Sequence, residues 1–161
     1  MRRVLVSVLM GAVLVGLAAL PLVGEAKEGV KVGTLKCNEA SGWGLVFGSS
    51  RDLKCIFTPV GKGKPTRYTG KIKKYGVDIG YQQHAVILWA VVSTVDKAKP
   101  GDLAGTYGGV TAEAAWAGGL GANVLVGGFK KAYALQPVSI EGLTGANVAA
   151  GLLEVELKLV K

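Results

Sequence analysis

The chain has 161 residues, of which 50% are hydrophobic and 19% charged, and its formal net charge is +8. This composition excludes an intrinsically disordered protein, and the length accommodates one domain with or without a targeting segment. A single histidine and two cysteines offer almost no ligands for a metal bound by nitrogen and sulfur, and few groups for acid–base chemistry near neutral pH. We therefore expect a protein that is not an enzyme, with no catalytic residues, no metal site and no cofactor.

The first 26 residues are predicted to be a signal peptide. A start with two arginines precedes the uncharged run Val4–Val23, and Gly24-Glu25-Ala26 then supplies the small residues that a cleavage site requires. An uncleaved anchor is the alternative, because the run is about long enough to span a bilayer. We expect cleavage, since the chain becomes polar directly after the site. Residues 27–161 then form one exported domain, in the periplasm or associated with the cell envelope.

The chain after residue 27 mostly alternates apolar and polar residues with a period of two, which is typical of half-buried β-strands. Clusters of Gly, Pro and Asp separate the runs, and only residues 111–117 favour a helix. We predict an all-β fold, a single antiparallel β-sandwich or small β-barrel after the N-terminal signal helix. The predicted strands are Val30–Cys37, Arg67–Tyr75, Ala85–Val92 and Leu153–Leu159.

The two cysteines, Cys37 and Cys55, are predicted to form a disulfide. A lone pair of cysteines in an oxidising compartment most simply pairs in this way, and the bond stabilises the fold by roughly 3 kcal/mol in the chain-entropy model. A redox-active pair is the alternative. It requires C-x-x-C spacing or a lowered thiol pKa, and the 17 intervening residues give no sign of either.

Short motifs spread over residues 27–161 carry a resemblance to a known family. They are Val32-Gly33-Thr34-Leu35-x-Cys37, Gly48-Ser49-Ser50-x-Asp52-Leu53-x-Cys55, Tyr68-x-Gly70-x-Ile72, Gly76-x-Asp78-x-Gly80, Trp89-Ala90-Val91, Leu103-Ala104-Gly105-x-Tyr107, Ala122-Asn123-Val124-Leu125-Val126-Gly127-Gly128 and Ala134-Leu135-Gln136-Pro137. Together they resemble a family of small exported proteobacterial proteins named domain of unknown function 992. The resemblance covers nearly all of the chain after residue 27. It implies an envelope protein with a signal peptide, two paired cysteines and no assigned activity.

The positive charge is concentrated in one part of the sequence. No acidic residue lies between Asp52 and Asp78, whereas the charges in the rest of residues 27–161 are balanced. In an extended Arg67–Tyr75 segment the odd positions share one face, which places three cations roughly 7–14 Å apart. The basic residues between the two aspartates are Lys54, Lys62, Lys64, Arg67, Lys71, Lys73 and Lys74.

Five of these residues, which we call the basic stripe, are the candidate binding residues: Lys62, Lys64, Arg67, Lys71 and Lys73. We expect the stripe to dock on an anionic surface, which in the envelope means anionic lipid, lipopolysaccharide, acidic glycan or an acidic protein. A solvated face on an edge strand is the alternative, because lysines there also prevent edge-to-edge pairing. Nucleic acid is not an expected partner of an exported protein despite the basic composition. The sequence leaves the oligomeric state open.

Two further classes of protein compete with a docking domain. A carrier of a small hydrophobic ligand or lipid would enclose a barrel cavity, which Trp43, Trp89 and Trp116 would line if they are not ordinary core residues. An outer-membrane barrel is disfavoured by the short chain, the few aromatic residues and the charged polar face of Leu153–Leu159. His84 is the sole candidate general base, and we interpret it as a solvated loop residue.

Overall fold

The computed structural model describes residues 29–44, 48–75, 80–109, 116–117, 119–120, 123–141 and 152–161. The predicted signal peptide and residues 111–115 of the helix-favouring segment lie outside this part of the chain. The described residues form an all-β fold, as predicted. The strands are β1 (Val30–Glu39), β2 (Gly42–Gly44), β3 (Ser49–Pro59), β4 (Thr66–Tyr75), β5 (Gly80–Gln82), β6 (Ala85–Ser93), β7 (Gly105–Tyr107), β8 (Leu125–Gly127), β9 (Tyr133–Glu141) and β10 (Leu152–Leu159).

Eight of the strands form one antiparallel sheet in the order β7-β10-β4-β3-β1-β6-β9-β8. The two outermost strands meet, because Gly108, next to β7, exchanges backbone hydrogen bonds of 3.0 and 2.7 Å with Val126 of β8. Glycine permits this approach at Gly127, where a Cβ atom would overlap the carbonyl oxygen of Thr106. The sheet therefore curls into a nearly closed barrel. Of the two predicted architectures, a sandwich and a small barrel, the structure has the barrel. Strands β2 and β5 pair separately as a two-stranded ribbon.

The four predicted strands are confirmed as β1, β4, β6 and β10. Sequence reasoning missed β3, although every second residue of it is buried. One of its inward residues is Arg51, which interrupts the apolar half of the pattern. It also missed β9, where Pro137 lies inside the strand and next to a register shift in the pairing with β6. A charged inward residue breaks the alternation of apolar and polar residues, and an internal proline is typical of turns. Each of them makes a strand difficult to predict from periodicity.

Alternating side chains of the barrel strands point inward and fill the interior. The largest of them is Trp89 of β6, which is fully buried and lies opposite Leu35 of β1. A second, smaller cluster covers the outer face of β6 where Val92 packs with Trp116 and Val124. Because the end of β6 is buried on both faces, its sequence is an uninterrupted apolar run. The interior cluster consists of Val32, Leu35, Cys37, Leu53, Cys55, Phe57, Tyr68, Ile72, Ile87, Trp89, Val91, Leu103, Tyr107, Leu125, Tyr133, Leu135, Val155 and Leu157.

The predicted disulfide joins Cys37 of β1 to Cys55 of β3 inside the barrel. The two residues lie directly opposite each other in the antiparallel pairing, with their Cα atoms 4.0 Å apart, and both are buried. The bond closes a chain separation of 18 residues. It therefore links two central strands of the sheet at a point that solvent does not reach.

The two ends of the barrel differ in what closes them. The end where β1 begins and β6 finishes is called the lower end, and Val30 pairs with Ser93 there. The opposite end, where β1 finishes at Glu39, is called the upper end. Residues 94–104, which we call the cap, connect β6 to β7 at the lower end. The cap buries Leu103 in the interior cluster.

Three buried tyrosines from three strands hold the cap in place. The Tyr107 hydroxyl donates to the Leu103 carbonyl at 2.9 Å, and the Tyr133 hydroxyl donates to Asp102 Oδ2 at 2.9 Å. The Tyr68 hydroxyl accepts from the backbone N–H of Gly101 at 3.0 Å. Burial raises the pKa of all three hydroxyls, and the Asp102 carboxylate raises the pKa of Tyr133 further.

Removal of the disulfide is expected to destabilise the barrel without changing its fold. A Cys37→Ala/Cys55→Ala variant should lose roughly 3 kcal/mol of unfolding free energy, because its unfolded chain regains the entropy of an open loop. Urea denaturation followed by tryptophan fluorescence measures the loss. Far-UV circular dichroism should match the oxidised wild type, and a loss below about 1 kcal/mol would contradict the entropic account.

The tyrosines that hold the cap should make the stability sensitive to alkaline pH. Because their pKa values are raised in the folded state, their contribution is complete below the unfolded value of about 10 and is lost as the pH rises above it. The free energy of unfolding should therefore stay level to about pH 9 and fall steeply above about pH 10. Urea unfolding over a pH series measures this decline. A Tyr107→Phe variant should decline less steeply, and equal slopes would show that Tyr107 does not contribute.

Candidate functional site

The basic stripe predicted from sequence is divided between two parts of the surface. Arg67, Lys71 and Lys73 point outward from β4, as the alternation predicted, and Lys74 points to the other face. Lys74 donates a hydrogen bond of 2.8 Å to Glu39 at the upper end. Lys62 and Lys64 lie in the exposed loop between β3 and β4, at the lower end. The five stripe residues therefore do not form one uniform surface.

Lys71 and Lys73 belong to a wall of alternating charges on β3, β4 and β10. Lys73 Nζ lies 2.6 Å from Glu154 Oε1, and Lys71 Nζ lies 3.4 Å from Asp52 Oδ1. The hydrogen bond and the charge of Glu154 raise the pKa of Lys73. On β10 itself, Glu156 is 2.9 Å from Lys158, whose hydrogen bond lowers the pKa of Glu156. This wall, which we call the paired wall, is close to neutral.

Lys62, Lys64 and Arg67 are exposed at the lower end, where other segments of the chain converge. The Val60 N–H donates to the Val32 carbonyl at 2.9 Å, which fixes the start of the β3–β4 loop against β1. The Val160 N–H donates to the Arg67 carbonyl at 3.0 Å, which brings the chain after β10 to the same place. Five segments meet at this end: residues 29–31, 60–67, 94–104, 128–132 and 160–161.

These five segments carry a large excess of positive charge. In the described part of the chain they contain nine basic and two acidic side chains. One of the two acids, Asp102, accepts hydrogen bonds from Tyr133 and from the backbone N–H of Lys99. We call the nine basic residues the basic end: Lys31, Lys62, Lys64, Arg67, Lys97, Lys99, Lys130, Lys131 and Lys161.

The lower end also exposes apolar side chains, one from each of the five segments. They are 43% to 66% exposed. In every segment a lysine follows the apolar residue within two positions. The apolar residues, which we call the apolar tips, are Val30, Val60, Val95, Phe129 and Val160.

Sequence reasoning found three members of the basic end and missed the rest. The signal that could have revealed them is a recurring apolar residue followed within two positions by a lysine. These lysines stand at positions 31, 62, 97, 130 and 161. Consecutive positions in this series are 31 to 35 residues apart. One strand up the barrel, one strand down and their connections together span about this number of residues. The chain therefore returns to the lower end at each of these lysine positions.

The lower-end segment between β8 and β9 displays Phe129. Residues Phe129–Lys131 form a short 3₁₀ turn between β8 and β9. Lys130 and Lys131 both adopt left-handed backbone conformations, with φ of 53° and 52°, which is uncommon for residues other than glycine. Lys130 Nζ lies 5.3 Å from the centre of the Phe129 ring. The turn thus presents an aromatic ring and a cation together.

The upper end has a different chemistry. Arg51 and Glu39 are both buried, with Arg51 Nε 3.3 Å from Glu39 Oε1. Arg51 Nη1 also donates to the Gly42 carbonyl at 3.0 Å, which attaches the β2–β5 ribbon to the barrel. The ribbon carries Trp43 and Tyr81 in an edge-to-face pair with ring centres 5.5 Å apart.

The three tryptophans that were candidates to line a cavity occupy three different environments. Trp43 is 73% exposed on the ribbon, so it neither lines nor fills the barrel, contrary to both sequence interpretations. Trp89 is a core residue inside the barrel, and Trp116 packs against the outer face of β6. His84 is exposed between β5 and β6, as expected. Among the described residues no cluster of His, Cys, Asp and Glu is arranged to hold a metal ion.

Comparison with known proteins places the chain in a family. The model of a family described as a protein of unknown function, DUF992, matches residues 13–158. The chain belongs to this family. No curated protein and no solved structure matches it. Within the described part of the DUF992 chain, no helix has the length and apolar character needed to cross a membrane.

Proposed function

We propose that this DUF992 protein is a non-enzymatic domain of the cell envelope that docks on an anionic surface through its basic end. The observation that carries the proposal is the concentration of nine basic and only two acidic side chains on the five segments of the lower end. Export from the cytoplasm, which the N-terminal sequence predicts, makes an envelope surface the relevant partner. The buried disulfide is consistent with an oxidising compartment.

The paired wall is a poorer docking surface than the basic end. Lys71 and Lys73 already face Asp52 and Glu154, so an incoming anion would have to compete with those carboxylates. Lys62, Lys64 and Arg67 form no ion pair with any residue in the described part of the chain. An anionic surface would therefore meet unneutralised charge at the lower end.

The number of cations is sufficient for reversible binding. Each basic residue near an anionic membrane contributes about 1 kcal/mol. Only those that reach the surface together count, and screening by salt reduces the contribution of each of them. Four or five lysines acting at once give about 4 to 5 kcal/mol, which corresponds to a dissociation constant of roughly 0.2 to 1 mM. This range suits a protein that is held at a surface and released from it.

Two charge-removal variants test which surface binds. A Lys62→Gln/Lys64→Gln variant should bind anionic vesicles about 30-fold more weakly than the wild type, since it loses two contributions of about 1 kcal/mol. Co-sedimentation with phosphatidylglycerol-containing vesicles measures the affinity, and the wild-type affinity should fall as salt is added.

A Lys71→Gln/Lys73→Gln variant is the matched control, because it removes the same charge from the paired wall. It should bind within about threefold of the wild type, since those lysines lie on the side of the barrel. A larger loss in this control than in the Lys62/Lys64 variant would assign docking to β4. The absence of any salt-sensitive binding by the wild type would refute the proposed function.

A further inference from the structure

We infer that the anionic surface is a lipid bilayer, and that the apolar tips enter its headgroup region while the basic end contacts the lipid phosphates. This inference rests on the proposed function and specifies its partner. An acidic protein or a soluble acidic glycan would be attracted by the lysines alone. A bilayer interface, in contrast, binds apolar side chains that are flanked by cations more strongly than cations alone, because the apolar groups also leave water.

The pairing of apolar and basic residues repeats at every segment of the lower end. The pairs are Val30 with Lys31, Val60 with Lys62, Val95 with Lys97, Phe129 with Lys130, and Val160 with Lys161. Exposure of a single apolar residue needs no explanation, but five exposed apolar side chains lie at this one end, each within two positions of a lysine. Each lysine can extend its ammonium group to a phosphate while the neighbouring apolar side chain leaves water.

Phe129 has the largest side chain of the five apolar tips and is more than half exposed. The turn that carries it is fastened to the cap, because the Phe129 N–H donates to the Asp102 carbonyl at 2.9 Å. Within the turn, the Ala132 N–H donates to the Phe129 carbonyl at 3.2 Å. Its backbone is therefore held in position, so binding need not order it.

The arrangement also fixes the orientation of the bound protein. The apolar tips lie at one end of the barrel, so insertion stands the barrel on its lower end. Gly29, the first residue described, lies at that end and therefore on the bilayer side. The ribbon with Trp43 and Tyr81 then points away from the bilayer.

The test separates apolar insertion from electrostatic attraction. A Val60→Ser/Phe129→Ser variant should bind phosphatidylglycerol vesicles about tenfold more weakly than the wild type, because it loses apolar burial but no charge. It should bind dextran sulfate, a polyanion without an apolar phase, as the wild type does. A Trp43→Ser variant is the control, because it removes a large exposed apolar side chain from the opposite end. It should bind both probes normally.

A fluorescence measurement provides a second, independent readout that does not depend on affinity. In a Phe129→Trp variant, brominated lipids in the vesicle should quench the indole introduced at that position. In the wild type, Trp43 should remain accessible to aqueous acrylamide after vesicle binding, since it lies at the far end of the barrel. Quenching of wild-type Trp43 by brominated lipid would overturn the proposed orientation.

The remaining outcomes distinguish failure of this inference from failure of the proposed function. Equal vesicle binding by the Val60→Ser/Phe129→Ser variant and the wild type would overturn insertion while leaving anionic docking in place. An equal loss of vesicle binding in the Trp43→Ser control would overturn it as well. If the wild type binds neither vesicles nor dextran sulfate, both the proposed function and the inference fail.

Discussion

Closure of a single antiparallel sheet is the constraint on which the surface of this protein depends. When neighbouring strands are antiparallel and the sheet curls until β7 meets β8, alternate chain connections are gathered at each end of the barrel. Five segments separated by 31 to 35 residues in sequence thereby become neighbours. The glycines at the seam matter for the same reason, because a side chain at Gly127 would push β8 away from Thr106 and open the barrel.

The same closure redistributes charge. In sequence, Lys71 and Lys73 belong to a run without acidic residues, which suggests a uniformly basic strand. In the sheet, β10 lies beside β4 and places Glu154 next to Lys73, although 81 positions separate them. The positive charge of the central strand is thereby neutralised at its sides. The excess remains where no neighbouring strand can supply carboxylates, which is in the connections.

How far sequence predicts this molecule depends on whether the signal is local. Strands with strict alternation, such as Leu152–Leu159, were predictable because the period of two is a local property. The cysteine pairing followed from there being only two cysteines. The strand Ser49–Pro59 was not predicted because Arg51 points inward, where it pairs with Glu39 of another strand. Two thirds of the basic end could not be predicted because its members are far apart in sequence. Only the topology of the barrel brings Lys31, Lys97 and Lys130 to the same end.

The two ends of the barrel hold their connections by different means, and the difference bears on function. At the upper end the buried Arg51 fastens the ribbon, and its charge is paired with the buried Glu39. At the lower end the cap is fastened by the neutral hydroxyls of Tyr68, Tyr107 and Tyr133. Tyrosine hydroxyls are uncharged over the physiological range, and burial raises the pKa of these three further. Because these anchors are hydroxyl groups, holding the cap does not engage Lys62, Lys64 or Arg67, and an anionic partner can contact those three side chains.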